Sequence, residues 1–335
     1  MSAGASIPYH LRTAKMADRS FFVELLRRLE RVRRLDDYVY ASMGGYPMAD
    51  HHRVHRVLGI KRLFCFDEDP KTVARQKFNK PIPDCKCAEL TTEEFVSDPA
   101  YAYRRAGILD WEGQIVWLDY TRPGELGQNV EEFVRLLAAC DHGDIIRITL
   151  NANERAIKGG SDKLSKAEKL ARRFAWLEGE VGQYIPEDAK PVDLTEIGFP
   201  ALLARIIRAA AADALGNETV RPLSLVRYAD GQQMFAASMI VDKGDPERPI
   251  ELGKLRAWSL LSSTWSEIHP IKIAALTSRE RDLVARLVPS LRPEKLASDL
   301  PFDPFDGTMS RAQIAEHFSK YQDLLRFYPD VLVVD

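Results

Sequence analysis

Several short stretches of this sequence combine residue types that could do chemistry. Asp67-Glu68-Asp69-Pro70 places three acids directly behind the apolar run Arg62-Leu63-Phe64-Cys65-Phe66. A carboxylate is an acceptor only, and one carboxylate can take two hydroxyl donors at once. Asp119-Tyr120 closes a second apolar run, Gln114-Ile115-Val116-Trp117-Leu118. An acid there could orient a nucleophile or remove its proton, with Tyr120 shaping the wall beside it. Met43-Gly44-Gly45-Tyr46-Pro47 follows Tyr38-Val39-Tyr40-Ala41-Ser42. Paired glycines allow close backbone approach, which a Cβ would block. Each stretch also has a plain structural alternative. The acids could be a solvated helix N-terminus, Asp119 could be tied to a backbone amide, and the glycines could simply make a tight turn.

Metal chemistry finds less support. Cys85-Lys86-Cys87 is too tight for the usual zinc spacing, and Cys65 and Cys140 complete no second pair, so buried reduced thiols are expected. His51 and His55 are four apart and would share a helix face, either solvated or beside a cofactor, but spacing indicates no third ligand. Thr149-Leu150-Asn151-Ala152-Asn153 offers amides where a hard divalent ion needs acids, so no metal is expected.

The elements that must position these residues follow from periodicity. Phe21, Phe22, Leu25, Leu26 and Leu29 recur at helical spacing and predict a helix over about 17–34. Apolar strands at 38–42, 62–66, 86–90, 114–118 and 144–150 alternate with helices at 49–58, 71–79 and 130–139. That alternation predicts a parallel sheet covered on both faces. Thr91-Thr92-Glu93-Glu94 reads as a helix cap. Residues 152–190, rich in Lys, Glu and Ala, predict a helical insertion lying outside the sheet, with Lys163, Lys166 and Lys169 on one face and dispensable to the fold. A helix at about 200–215 precedes a hairpin whose turn is Ala229-Asp230-Gly231-Gln232. The expected organisation is an N-terminal arm and helix over 1–35, a Rossmann-like domain over 36–245, and a mixed C-terminal extension over 246–335.

With 335 residues, 45% of them hydrophobic, the chain can bury a large core, and its net charge of -2 gives no global pull toward nucleic acid or anionic membranes. No apolar run is long enough to span a bilayer and the first twenty residues hold no apolar signal core, so a cytoplasmic protein without membrane contact is expected. Leu276-Thr277-Ser278-Arg279-Glu280-Arg281 opens a capped amphipathic helix similar to a helix-turn-helix element. Nucleic acid at that helix, and a second copy of the chain as a homodimer, are the open partner expectations.

Five β-α units, then a helix and an antiparallel hairpin, resemble the class I S-adenosylmethionine-dependent methyltransferases. Their Rossmann-like sheet is mostly parallel and ends in a reversed hairpin strand. The resemblance covers about residues 36–245, and the run from Tyr38 to Asn79 is similar to bacterial proteins described as O-methyltransferases. It implies S-adenosylmethionine as cofactor. Met43, Gly44 and Gly45 would then pass under its amino acid portion and ribose, and Asp67, followed by Glu68, would take the ribose hydroxyls. Thr91 would stand near adenine, and Asp119 with Tyr120 would face the transferred methyl group. The family pattern places an acid before Gly-x-Gly-x-Gly, of which only Gly44-Gly45 is present; the Pro-Pro of amine-acting members is absent after Asp119. The implied function is an S-adenosylmethionine-dependent methyltransferase of unknown acceptor. The alternative is a non-catalytic, methyltransferase-like nucleotide-binding module in a bacterial defence or mobile-element system.

Overall fold

The computed structural model describes residues 12–159, 164–244, 250–274, 276–287, 292–305 and 307–324. Helix α1 (Thr13–Leu29) leads into β1 (Tyr38–Ser42), α2 (Ala49–Leu58), β2 (Arg62–Asp67), α3 (Pro70–Asn79) and β3 (Lys86–Glu89). Short helices α4 (Thr92–Ser97) and α5 (Pro99–Arg105) precede β4 (Gly113–Asp119), α6 (Leu126–Ala138) and β5 (Ile145–Asn151). Then come α7 (Lys166–Val181), α8 (Gly198–Leu215), β6 (Val220–Asp230) and β7 (Gln232–Val241). Strand β8 (Ile268–Ile271) and helices α9 (Ser278–Leu287), α10 (Pro293–Asp299) and α11 (Arg311–Leu324) follow.

The strands form one sheet in the order β3-β2-β1-β4-β5-β7-β6-β8. β1 to β5 are mutually parallel, and β7 runs antiparallel to both β5 and β6. This is the class I methyltransferase arrangement that the resemblance implied, with the reversed strand where the Asp230-Gly231 turn puts it. Gly231 has φ +83°, a conformation glycine adopts without steric penalty. An eighth strand, drawn from beyond residue 245, pairs parallel to β6.

Local signals explain the element ends that matter for a site. Asp69 caps α3 by accepting from the Lys71 and Thr72 amides, with Pro70 opening the first turn. Thr91 and Glu94 form a reciprocal capping box on α4. α1 starts at Thr13 and ends at Leu29, several residues earlier than the periodicity suggested, because its first turn is held by contacts far along the chain.

Each face of the sheet carries its own core. One is built with α4 to α8 around Phe64, Phe66, Phe95 and Phe133. The other packs α1 and α2 with Leu255, Trp258 and Leu260. Helix α7 corrects one expectation. It is helical and lies outside the sheet, with Lys166 exposed, but Phe174, Leu177 and Val181 are buried in the first core. The Lys and Glu content describes its outer face, while its inner face supplies apolar surface that α6 and α8 need. It is therefore part of the fold and not a dispensable addition. Lys163 lies outside the described residues.

Candidate active site

In an open α/β sheet, ligands bind beyond the carboxyl ends of the strands. At that edge the structure assembles the ends of β1, β2, β4 and β5 with the β6–β7 turn, since Asn151 pairs with Met234 across β5 and β7.

The Met43-Gly44-Gly45 turn sits on a packed bed. A Cβ on Gly44 would lie 3.0 Å from His51 Cε1 and 3.2 Å from Cys65 Sγ. The Gly44 carbonyl accepts from Gln76 Nε2 at 2.5 Å. Glycine is therefore required at 44 by the side chains beneath it, whatever binds above. Met43 and the α4 cap meet: the Thr92 hydroxyl donates to Met43 Sδ at 3.8 Å, which brings the β1 and β3 loops together beside Thr91.

His51 is neither solvated nor a surface ligand, contrary to the expectation for its helix face. It is fully buried, with Nε2 3.0 Å from the Phe64 carbonyl oxygen and Nδ1 3.4 Å from Asp50 Oδ1. His52 reaches the Asn79 carbonyl at 2.8 Å and His55 that of Ile60 at 3.0 Å. Asp50 is the acid that the sequence did not place. It enters from α2 and accepts from the Tyr40 hydroxyl at 2.8 Å and the Ser42 hydroxyl at 2.5 Å. Burial opposes its charge, yet His51, Arg19 and Ser42 outweigh that penalty and hold its pKa well below the usual carboxylate range. An acid thus braces the end of β1, supplied by the next helix instead of the strand itself.

Asp67 ends β2 half-buried, and its Oδ1 accepts from the Asp69 amide at 2.8 Å. Burial, with Asp69 and Glu68 nearby, pushes its pKa up against that hydrogen bond. Glu68 is exposed.

Asp119 ends β4 and makes the contact that defines this edge. Lys15 Nζ donates to its Oδ2 at 2.7 Å, with the two side chains only 7% and 18% exposed. Lys15 is aimed by its own backbone, because the amides of Ala14 and Lys15 donate to the two Asp230 oxygens at 3.1 and 2.6 Å. The hairpin turn thereby caps α1 and delivers a lysine to β4. Asp119 Oδ1 is buried and has no hydrogen-bond partner among the described residues. Tyr120 turns away from this edge. Its hydroxyl donates to Glu132 Oε2 at 2.6 Å inside the helical layer, and burial with Glu132 raises its pKa well above the ordinary phenol value. It supports α6, and no part of a cleft wall rests on it. Asn151 is likewise engaged, its amide donating to the Thr121 carbonyl and to Gln232 Oε1.

Sequence reasoning missed Lys15 and Asp50. Neither lies in a motif, and each acts at a strand end remote from its own position in the chain. A wide cavity of about 1180 Å³ lies at the opposite edge, lined by Arg208, Arg221, Lys243, Arg256 and Trp265 among others. It adjoins the start of β6 and the end of β7, so it is separate from the Asp67–Asp119 edge.

No curated protein matches this chain in sequence. Among solved structures, an O-methyltransferase from Bacillus cereus in complex with SAH aligns at 11% identity, covering 71% of this chain and 86% of that one, with a TM-score of 0.37. The N-methyltransferase NodS from Bradyrhizobium japonicum WM9 aligns at 9% identity over 67% of this chain and 96% of that one, with a TM-score of 0.36. Both likenesses are too distant to bear on function. The model of one protein family, described as "Putative O-methyltransferase", matches residues 7–334. With nearly its whole length matched and its sheet in the class I order, the chain belongs to this O-methyltransferase family.

Proposed function

We propose that this protein binds S-adenosylmethionine along the carboxyl edge of β1 to β4 and transfers its methyl group to an acceptor oxygen, without a metal ion. The observation that carries the reading is Asp119, with one oxygen on Lys15 and the other buried without a partner. The residues present fit the cofactor. The free oxygen of Asp67 can accept from ribose hydroxyls, the backbone of Gly44 and Gly45 can lie against the amino acid portion, and Thr91 stands at the β3 end near the adenine position. Bound there, the cofactor supplies an activated methyl group. The chain's own residues do the rest. Asp119 Oδ1 accepts the hydrogen bond of an acceptor hydroxyl and takes its proton as the oxygen attacks. Lys15 holds the carboxylate in place and offers positive charge to an acceptor oxygen as it becomes anionic. Much of the rate then comes from holding the acceptor in line with the methyl group.

A second reading has one observation in its favour. Gly44 is explained by His51 and Cys65 alone, so the turn needs no ligand to account for it. That suits a methyltransferase-like module that binds a nucleotide without turnover.

We place the work of this protein in the cytoplasm, where its four free thiols stay reduced; no helix among the described residues is long and apolar enough to cross a membrane. Calorimetric titration with S-adenosylmethionine and with S-adenosylhomocysteine is the direct test. Micromolar binding of both supports the proposal. Binding of neither at millimolar concentration refutes it, and binding with no methyl transfer to any hydroxyl acceptor in a screened set leaves the module.

A further inference from the structure

The spacing of the four cysteines gives no reason to group them, but the fold gathers three. Cys65 and Cys87 are register partners across β2 and β3. Cys85, two residues before Cys87, lies with both in the same apolar cluster, and its thiol hydrogen-bonds to the Cys87 sulfur. Cys140 stands apart in the core on the other face, donating to the Leu136 carbonyl.

The three thiols differ in access. β3 is the edge strand of the sheet, and Cys87 on it is only partly buried, whereas Cys65 and Cys85 are closed off. They also differ in charge. The hydrogen bond from Cys85 draws the Cys87 pKa down to about 7 against burial, helped by the charges of His51, Lys80 and Lys77. Cys85, as donor and in a buried place, is held neutral. An accessible thiolate next to a neutral thiol is the arrangement of an attacking and a resolving cysteine. Cys85 precedes β3, in a turn where its amide donates to the Ile82 carbonyl at 3.1 Å. Its backbone is therefore not committed to the extended geometry that would keep two side chains on one strand face apart.

We propose that Cys87 is a peroxide-reactive thiol and Cys85 its resolving partner, so that a hydroperoxide converts the two into an intrachain disulfide. The Cys87 sulfur attacks the terminal peroxide oxygen and the O–O bond breaks. The leaving alkoxide or hydroxide takes a proton, and Cys87 becomes a sulfenic acid. The Cys85 sulfur then attacks the Cys87 sulfur. The S–O bond breaks, the Cys85 proton leaves with the hydroxyl as water, and the S–S bond forms. Two thiols and one hydroperoxide thus give one disulfide, one alcohol (water, for hydrogen peroxide) and one water. Cys65, whose thiol points to the Gly44 carbonyl at 3.6 Å, takes no part.

The test is exposure of the full-length reduced protein to equimolar hydrogen peroxide, followed by alkylation and mass spectrometry. The expected product is lighter by two hydrogens, and after trypsin the peptides 78–86 and 87–104 remain joined. Cys87 should react at least about tenfold faster than Cys140 in the same molecule. Cys85→Ser should divert Cys87 to a sulfenic acid that dimedone traps, and Cys87→Ser should leave Cys85 reduced. Wild-type protein in which Cys140 or Cys65 reacts as fast as Cys87 would overturn the proposal. So would wild-type protein in which Cys87 is oxidised without forming a bond to Cys85. None of these measurements depends on methyl transfer or on cofactor binding.

Discussion

Lys15 Nζ lies 2.7 Å from Asp119 Oδ2, joining the first turn of α1 to the end of β4 across 104 residues of sequence. The pair is mostly shielded from water, so neither charge is independent of the other. Lys15→Met leaves a largely buried carboxylate without its cation. Unfolding in urea should show a loss of about 1–3 kcal/mol, below the value for a fully buried pair because Asp119 keeps some solvent contact. Lys15→Met with Asp119→Leu should recover part of that loss. An unchanged midpoint in the single variant would mean that the contact contributes nothing to stability.

Asp67 and Asp119 should separate in their effects on ligand and on turnover. If Asp67 accepts two ribose hydroxyls, each such bond contributes roughly 1.5–3 kcal/mol. Asp67→Ala should then weaken S-adenosylhomocysteine binding by on the order of ten- to a hundredfold, at about 1.4 kcal/mol per decade. Asp119→Ala should leave that affinity within a few fold and lower methyl transfer. Calorimetry on both variants decides the matter, and affinity indifferent to Asp67 would mean the ribose docks elsewhere.

Helix α7 should behave as core. Phe174 and Leu177 are buried against the α6–α8 layer, and Gly127 of α6 packs so closely on α7 that a Cβ would lie 2.9 Å from the Glu180 carbonyl oxygen. Leu177→Ala should therefore destabilise the protein by about 2–5 kcal/mol. Replacing exposed Lys166 by Ala should change stability by less than about 0.5 kcal/mol. Equal, small effects at both positions in a thermal melt would return the segment to the status of an appendage.

The Asp50–His51 pair predicts a pH window. The folded pKa of Asp50 lies below its ordinary 3.8, so its contribution is present above that value and is lost as pH falls through the lowered folded pKa. His51 is disfavoured as a cation by burial, but Asp50 and the Phe64 carbonyl reverse the balance and raise its pKa above the ordinary 6.5. Its contribution is full below 6.5 and is lost as pH rises through the raised folded value. Both are complete between about pH 4 and 6.5. Asp50→Asn should flatten the loss of stability on the alkaline side of that window, where only His51 titrates. A variant whose unfolding free energy keeps the wild-type slope between pH 6 and 8 would show that the pair does not set it.

Much of this protein is legible in its sequence because much of it is local. The strand-helix alternation, the Asp69-Pro70 helix start, the Thr91 capping box and the Asp230-Gly231 hairpin turn each depend on residues within a few positions of one another, and periodicity or turn chemistry records them. The order of those elements fixed the reversed strand before any pairing was seen. The candidate site is a different kind of object. Lys15 gains its place from Asp230, and Asp119 gains its partner from a helix that precedes the sheet. Asp50 reaches the β1 end from the following helix, and Cys65 and Cys87 meet only because β2 and β3 pair in that register. No spacing in the chain encodes such meetings. Composition misjudged α7 for a related reason: a Lys- and Glu-rich count describes the face that meets water, while burial is decided by the three apolar side chains that face the neighbouring helices. Charge pairing and burial arise from distances in space, and those distances exist only once the sheet has closed its two cores around these residues.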